Sequence, residues 1–382
     1  MSGEATTSSD ADDTSTSGET STSGEPVVCG DGVQDSNGVC LSEAADFPAG
    51  ASAVAMVSGD FNGDANIDVV LSNNAGDSVV LLPGTGAGGF GASLVTPLAV
   101  GAEPQAMAAG LISDDTVADV LVANVGNNTV SILSGSDAGF SESVLPTGGL
   151  PSDVALAHLN EDDRLDFVLV NTEDEVFTAW TADDDGSFQL SDVNDGGPIP
   201  FIDTVVLGEV ALPGAIDVVF SGDLVVGASP GNGDGSIGET VAVAAEISAS
   251  ALHMRGGDFN EDGELDIAIV TAVGVVVLLG DGDPLEAGFD EQGLGAHDGV
   301  LDVAVADVTG EGNDDVVVLA AGDSELVVYP GLGNGNFGSP VTIEIGDSAS
   351  AITVGDLDGD ERKDVVVANA DTQTVSVFLA EP

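Results

Sequence analysis

In GDFNGDANID (residues 59–68), oxygen-bearing side chains fall at alternate positions, Asp60, Asn62 and Asp64, with Asp68 four residues further on. GDFNEDGELD repeats the pattern with Asp258, Asn260, Asp262 and Asp266, and GDLDGDERKD repeats it with Asp356, Asp358, Asp360 and Asp364. Carboxylates crowded this closely repel one another unless they splay into water or share a cation. Oxygens at positions 1, 3, 5 and 9, with a backbone carbonyl at position 7, can wrap one hard ion. Calcium takes six to eight oxygens at about 2.3–2.6 Å, whereas magnesium demands a tighter octahedron and keeps its waters. The carbonyls would come from Asn66, Glu264 and Arg362. Three Ca2+ sites are therefore expected, and two partial loops could raise the number to four or five. ADVTGEGNDD offers Asp307, Thr309, Glu311 and Asp315 with the carbonyl of Asn313, and AHLNEDDRLD offers Asn160, Asp162 and Asp166 but opens on His158. The competing reading is metal-free, since Asp and Asn also shape turns unaided. The ninth-position Asp recurs even where the other ligands are missing, as Asp119 and Asp217. That points to a turn-capping role independent of any ion.

Other chemistry is sparse. His158, His253 and His297 fall in separate repeats, and no G-x-S-x-G nucleophile pattern occurs. GTGAGG and GNGDGS lack the Lys of a phosphate loop and lie between strand-like runs. With 67 acidic residues, carboxylate pairs arise by chance and define no glycosidase dyad. Trp180 and Tyr329 close strand-like runs and read as packing residues.

The elements that must hold the acidic loops repeat. Asp68, Asp119, Asp166, Asp217, Asp266, Asp315 and Asp364 each open an apolar run, at intervals of 47 to 51 residues. A Gly-rich turn ending near Phe90, Phe140, Phe188, Ile237, Phe289 or Phe337 keeps the same step. A period near 50 implies a stacked or circular array of small sheets. Each unit reads as four strands, the first rich in Ala, Val and Gly, as suits strands converging on a crowded axis. The fold class is thus all-β, a seven-bladed β-propeller of four-stranded blades. Residues 239–254 are Ala-rich, but their alternation and register favour a strand. The last unit ends after its third strand, and VCLSEAADFPAG (39–50) stands where a fourth belongs. The N-terminal segment should therefore close the ring and cover both sheet edges.

The combination Asp-x-Asp/Asn-x-Asp-Gly-x-x-Asp with Phe-Gly turns, as in GGFG (88–91) and NFG (336–338), resembles the FG-GAP/VCBS repeat of integrin α subunits and secreted bacterial propellers. The resemblance spans about residues 39–382 and implies calcium between the first and second strands of each blade. LISDDTVAD and EVALPGAID depart from the pattern and should hold no ion.

Residues 1–26 are Ser, Thr, Gly and acidic, a tether that cannot form a core. With residues 27–40 it resembles the stalks of exported bacterial surface proteins and lipoproteins. In an exported chain Cys29 and Cys40 are expected to pair across a short loop, and an export signal is expected upstream. The net charge of −63 excludes nucleic acid and anionic membranes as partners. No apolar stretch is long enough to insert in a bilayer.

The expectation is a non-enzymatic, extracellular monomer, secreted or tethered to a bacterial surface, that binds protein or glycan. The polar loops opposite the calcium turns would carry that role, through Asn73, Asn74, Asn124, Asn127, Asn128, Asn171, Asn369 and Asp371. A propeller-based polysaccharide lyase or hydrolase and a spacer without a dedicated ligand are the alternatives.

Overall fold

The computed structural model describes residues 27–28, 34–35, 39–42, 44–113, 115–184, 186–197, 199, 201–209, 215–222, 224–240, 247, 249–280, 290–346 and 348–381. Seven antiparallel sheets stand around an axis, the propeller expected from the repeat. Six sheets have four strands, and the fourth has three among the described residues. The strand expected within residues 239–254 lies largely outside the described residues, at 241–246.

Each blade's second strand begins at the recurrent Asp and is almost wholly buried, as in Asp68–Asn73, Asp166–Asn171 and Asp315–Ala320. Such a strand has a neighbouring blade against each face. That explains unbroken runs such as DVVV in place of the alternation of a half-exposed sheet. The apolar core accordingly lies between blades. Val316, Val318 and Val327 of blade six pack with Ala268, Val270 and Val277 of blade five in a single cluster. The innermost strands, from Ala53–Gly59 in blade one to Ala349–Gly355 in blade seven, contact one another in sequence, and the seventh meets the first.

The ring closes as the sequence implied. Ala45–Pro48 pairs with Thr374–Phe378 and supplies the outer strand of blade seven. Ser376 donates its hydroxyl to Asp46 at 2.6 Å, and Phe47 meets Phe90 of blade one edge-on at 5.5 Å. The first and last segments of the chain thus stabilise one sheet together. Val27–Val28 and Gln34–Asp35 form a short ribbon ahead of it. Cys40 is buried beside the closure, while Cys29 and residues 1–26 lie outside the described residues. Among the described residues no helix is long and apolar enough to cross a membrane.

Candidate metal loops and the opposite face

The recurrent Asp is a structural staple in every blade. One oxygen accepts the backbone N–H that follows the third strand: Gly84, Gly135, Ala182, Gly231, Gly280, Gly331 and Ala380, at 2.7–2.9 Å from Asp68, Asp119, Asp166, Asp217, Asp266, Asp315 and Asp364. The other oxygen takes an N–H at the start of the loop, from Phe61, Ser113, Leu159, Phe259, Val308 and Leu357 in six blades. Gly84 has to be Gly, because a Cβ there would lie 2.0 Å from the carbonyl oxygen of Ile67. The metal-independent role read from blades two and four is therefore real. A buried carboxylate pays heavily for lost hydration unless hydrogen bonds replace it.

The first-position Asp organises the rest of each loop. Asp60 accepts the N–H groups of Gly63, Asp64 and Ala65 at 2.7–3.2 Å. Asp258 accepts those of Asp262 and Gly263, Asp307 those of Gly310, Glu311 and Gly312, and Asp356 those of Gly359, Asp360 and Glu361. These bonds curl each loop around its first carboxylate.

How far they converge differs between blades. In blade seven, Asp356, Asp358 and Asp364 offer oxygens within 4.8 Å of one another. Ligands on opposite sides of a calcium ion stand about 4.6–5.2 Å apart, so this set fits a single calcium sphere. In blade one the Asn62 amide donates to Asp68 at 3.3 Å, and in blade five the Asn260 amide donates to Asp262 at 2.8 Å. The oxygens of these amides accept the N–H groups of Asp64 and Asp262, at 2.8 and 3.0 Å. In blade six the Thr309 hydroxyl lies 3.4 Å from Asp307 and 3.5 Å from Asp315, while Glu311 is exposed. In blade three His158 Nδ1 meets the Arg164 carbonyl at 2.7 Å. That carbonyl is the seventh-position oxygen, so the imidazole occupies the ion's side of the loop.

The seventh-position residues Asn66, Glu264, Asn313 and Arg362 all begin the return to the second strand. Arg362 does more than offer its carbonyl. Its guanidinium donates to Thr309 O of blade six at 3.1 Å, which ties two acidic loops together.

Burial pushes Asp68, Asp266, Asp315 and Asp364 up to about 6, against partial relief from their N–H donors. The neighbouring Asp60 and Asp64 raise Asp68 further, and Asp258 and Asp262 do the same to Asp266. Asp358 is raised too, by burial and then by Asp360. Metal-free, these loops hold negative charge reluctantly, and a bound cation removes that cost.

On the opposite face the structure corrects part of the expected ligand surface. Asn124, Asn171 and Asn369 are buried, with amides donating to Ser131, Thr178 and Ser376 on the next strand at 2.8–3.2 Å. They tie hairpins and cannot meet an outside ligand, because an Asn ending a second strand points into the blade. Asn73 likewise donates to Ser78 at 3.1 Å. Asn128 and Asp371 are exposed, and Asn74 and Asn127 are half-buried. Sequence reading passed over Asp323 and Glu325 on this face, which come with His297 within 4.8 Å of one another. His297 Nε2 also meets the Tyr329 hydroxyl at 2.6 Å, and only the three-dimensional return of the chain brings these residues together. Trp180 and Tyr329 are buried blade packing, Trp180 stacked on Phe167.

Ring, loops and turns together define a propeller with acidic, cation-suited bends, and residues 307–367 match the family model described as FG-GAP-like repeat. The chain is a seven-bladed β-propeller. No curated protein matches it. Among solved structures it is similar to the BBS1N chain of a complex with ARL6DN, with a TM-score of 0.64, 14% identity, and 89% of this chain and 97% of that one covered. It is also similar to virginiamycin B lyase from Staphylococcus aureus, with a TM-score of 0.60, 11% identity and coverage of 88% and 99%. A lectin of Agrocybe aegerita that recognises non-reducing terminal N-acetylglucosamine aligns with a TM-score of 0.55, 18% identity and 87% of each chain. At these identities the likeness is one of fold.

Proposed function

We propose that this protein is a non-enzymatic extracellular binding module whose propeller is stabilised by calcium. The observation that carries the calcium reading is the convergence of Asp356, Asp358 and Asp364 within 4.8 Å. Blades one and five supply the other two complete donor sets, and blade six a weaker one. The binding role draws support from the rigid scaffold and its exposed polar turns, since recognition tends to sit on loops that a scaffold positions. The similar propellers that bind a protein or a terminal sugar use the same fold. The partner is a protein or glycan engaged by a monomer through the face bearing Asn74, Asn127, Asn128 and Asp371. The Ser/Thr-rich residues 1–26 suit a tether on a bacterial surface, with Cys29 and Cys40 paired beside the ring closure.

A glycan array and a pull-down in calcium test the binding role. Retention that vanishes when the exposed turns are replaced by Gly-Ser supports it, and retention of nothing leaves a spacer. A second reading, a lyase or hydrolase, draws on the ionisable side chains of the central lumen, which include His253 and Arg255. Polysaccharide turnover lost in His253→Ala would establish it.

A further inference from the structure

Two loops meet on the polar face where blade five hands over to blade six. Residues 296–299 run from the outer strand of blade five, Asp290–Gly295, to the inner strand of blade six, Val300–Ala306. Residues 321–324 turn from the second strand of blade six to its third, Glu325–Tyr329. Ala321 N–H donates to Gly299 O at 3.1 Å, and Asp298 N–H donates to an Asp323 carboxylate oxygen at 3.0 Å, so the two loops are held together. Here His297, Asp323 and Glu325 each bring a ligating atom within 4.8 Å of the others.

Two observations outside that trio point to a cation. The first concerns charge. Glu325 lies directly opposite Glu344 on the neighbouring strand, and like charges so placed destabilise a sheet. The chain has four Lys and Arg residues, and all stand elsewhere. Arg164, Arg362 and Lys363 belong to acidic loops of the opposite face, and Arg255 lines the lumen beside Asp302. No Lys or Arg can neutralise the glutamate pair, but a cation from solution can. The second observation concerns the imidazole. Tyr329 is 3% exposed, shares a strand face with Glu325 and aims its hydroxyl at His297 Nε2, 2.6 Å away. A fixed partner on one ring nitrogen is what orients a metal-binding histidine. With Nε2–H donating to that hydroxyl, Nδ1 carries the lone pair that a metal takes.

We propose that His297, Asp323 and Glu325 bind one first-row divalent ion of the zinc class. Imidazole suits Zn2+, whereas Ca2+ and Mg2+ take oxygen donors. Tetrahedral ligands at about 2.0–2.1 Å from zinc stand about 3.4 Å apart. Rotation of the exposed Asp323 and half-buried Glu325 side chains supplies the contraction. Three protein ligands leave a fourth position for water or for a donor group of a bound molecule. The site lies across the ring's thickness from the acidic loops and differs from them in carrying nitrogen.

Calorimetric titration with Zn2+ in saturating calcium and physiological salt tests this. One saturable site is expected, and His297→Ala should abolish it. Tyr329→Phe keeps the ring packing and removes the hydroxyl, so it should weaken the site about ten- to hundredfold. His158→Ala and His253→Ala should leave it unchanged. Asp323→Asn, on an exposed turn, should also weaken it and serves if His297→Ala fails to fold. The chain has only three histidines, so imidazole nitrogen resonances give an independent readout, and zinc should shift those of His297 alone. A saturable site lost in His158→Ala, or uptake indifferent to both His297→Ala and Asp323→Asn, overturns the proposal. So does unsaturable uptake, which is condensation on the acidic surface, and so does an absence of uptake by the folded protein.

Discussion

Phe259, in the acidic loop of blade five, meets Phe337, in the Gly-rich turn of blade six, edge to face at 5.3 Å. The backbone seals the contact, with Gly335 N–H donating to Phe259 O at 2.8 Å. The relationship recurs around the ring. Phe61 meets Phe140 at 5.9 Å, Leu159 shares a cluster with Ile237, and Leu357 shares one with Phe90 across the closure. Gly235 and Gly88 likewise donate to Leu159 O and Leu357 O at 2.9 and 3.0 Å. In these four places a blade's turn rests on the previous blade's loop, and the two marks keep step because they touch between neighbouring repeats.

Phe259→Ala should destabilise the protein by about 3–5 kcal/mol, the usual cost of emptying a buried aromatic site. A urea-denaturation cycle with Phe337→Ala should show a coupling of about 0.5–1.5 kcal/mol for the ring pair. Additive losses would show that the rings do not act together.

Calcium should raise the melting temperature and chelation should lower it. A site at a hundredfold excess of ligand over Kd contributes about 2.7 kcal/mol. Asp356→Ala should remove one calorimetric binding event and leave the others. Chelated protein that takes up no calcium at all would end the metal assignment.

In chelator, stability should increase as pH falls from about 7 toward 5. Asp68, Asp266, Asp315 and Asp364 sit near 6 in the fold against an ordinary value of 3.8. The native state therefore binds more protons in that window, and stability rises as they bind. With calcium bound the trend should reverse, since protons then compete with the ion. Thermal melts across pH, with and without calcium, read both slopes.

Asn369→Ala should cost about 1–3 kcal/mol by leaving the Ser376 hydroxyl without its donor in a buried hairpin. Asp371→Ala, at an exposed turn, should leave stability within about 0.5 kcal/mol. If partner binding is found on this face, only the second variant should alter it directly.

Removing residues 1–48 should unmask the edge of Thr374–Phe378. An open, apolar edge invites pairing between chains, so size-exclusion chromatography should show association together with a lower melting temperature.

The sequence by itself determined the blade count, the acidic loops and the closure. Each rests on a pattern that short-range physics enforces: buried second strands read as unbroken Val runs, turns demand Gly and Asp, and a missing fourth strand needs a substitute. Tertiary structure decided what the same letters could not distinguish. Asn124 and Asn128 look alike in NVGNN, yet one faces into the blade and the other into solvent, because orientation depends on register within the hairpin. His158 reads as a failed ligand, and only the fold shows it bonded to the carbonyl an ion would use. Asp323, Glu325 and His297 were scattered letters until the return of the chain brought them within 4.8 Å of one another, a meeting that leaves no local mark in the sequence.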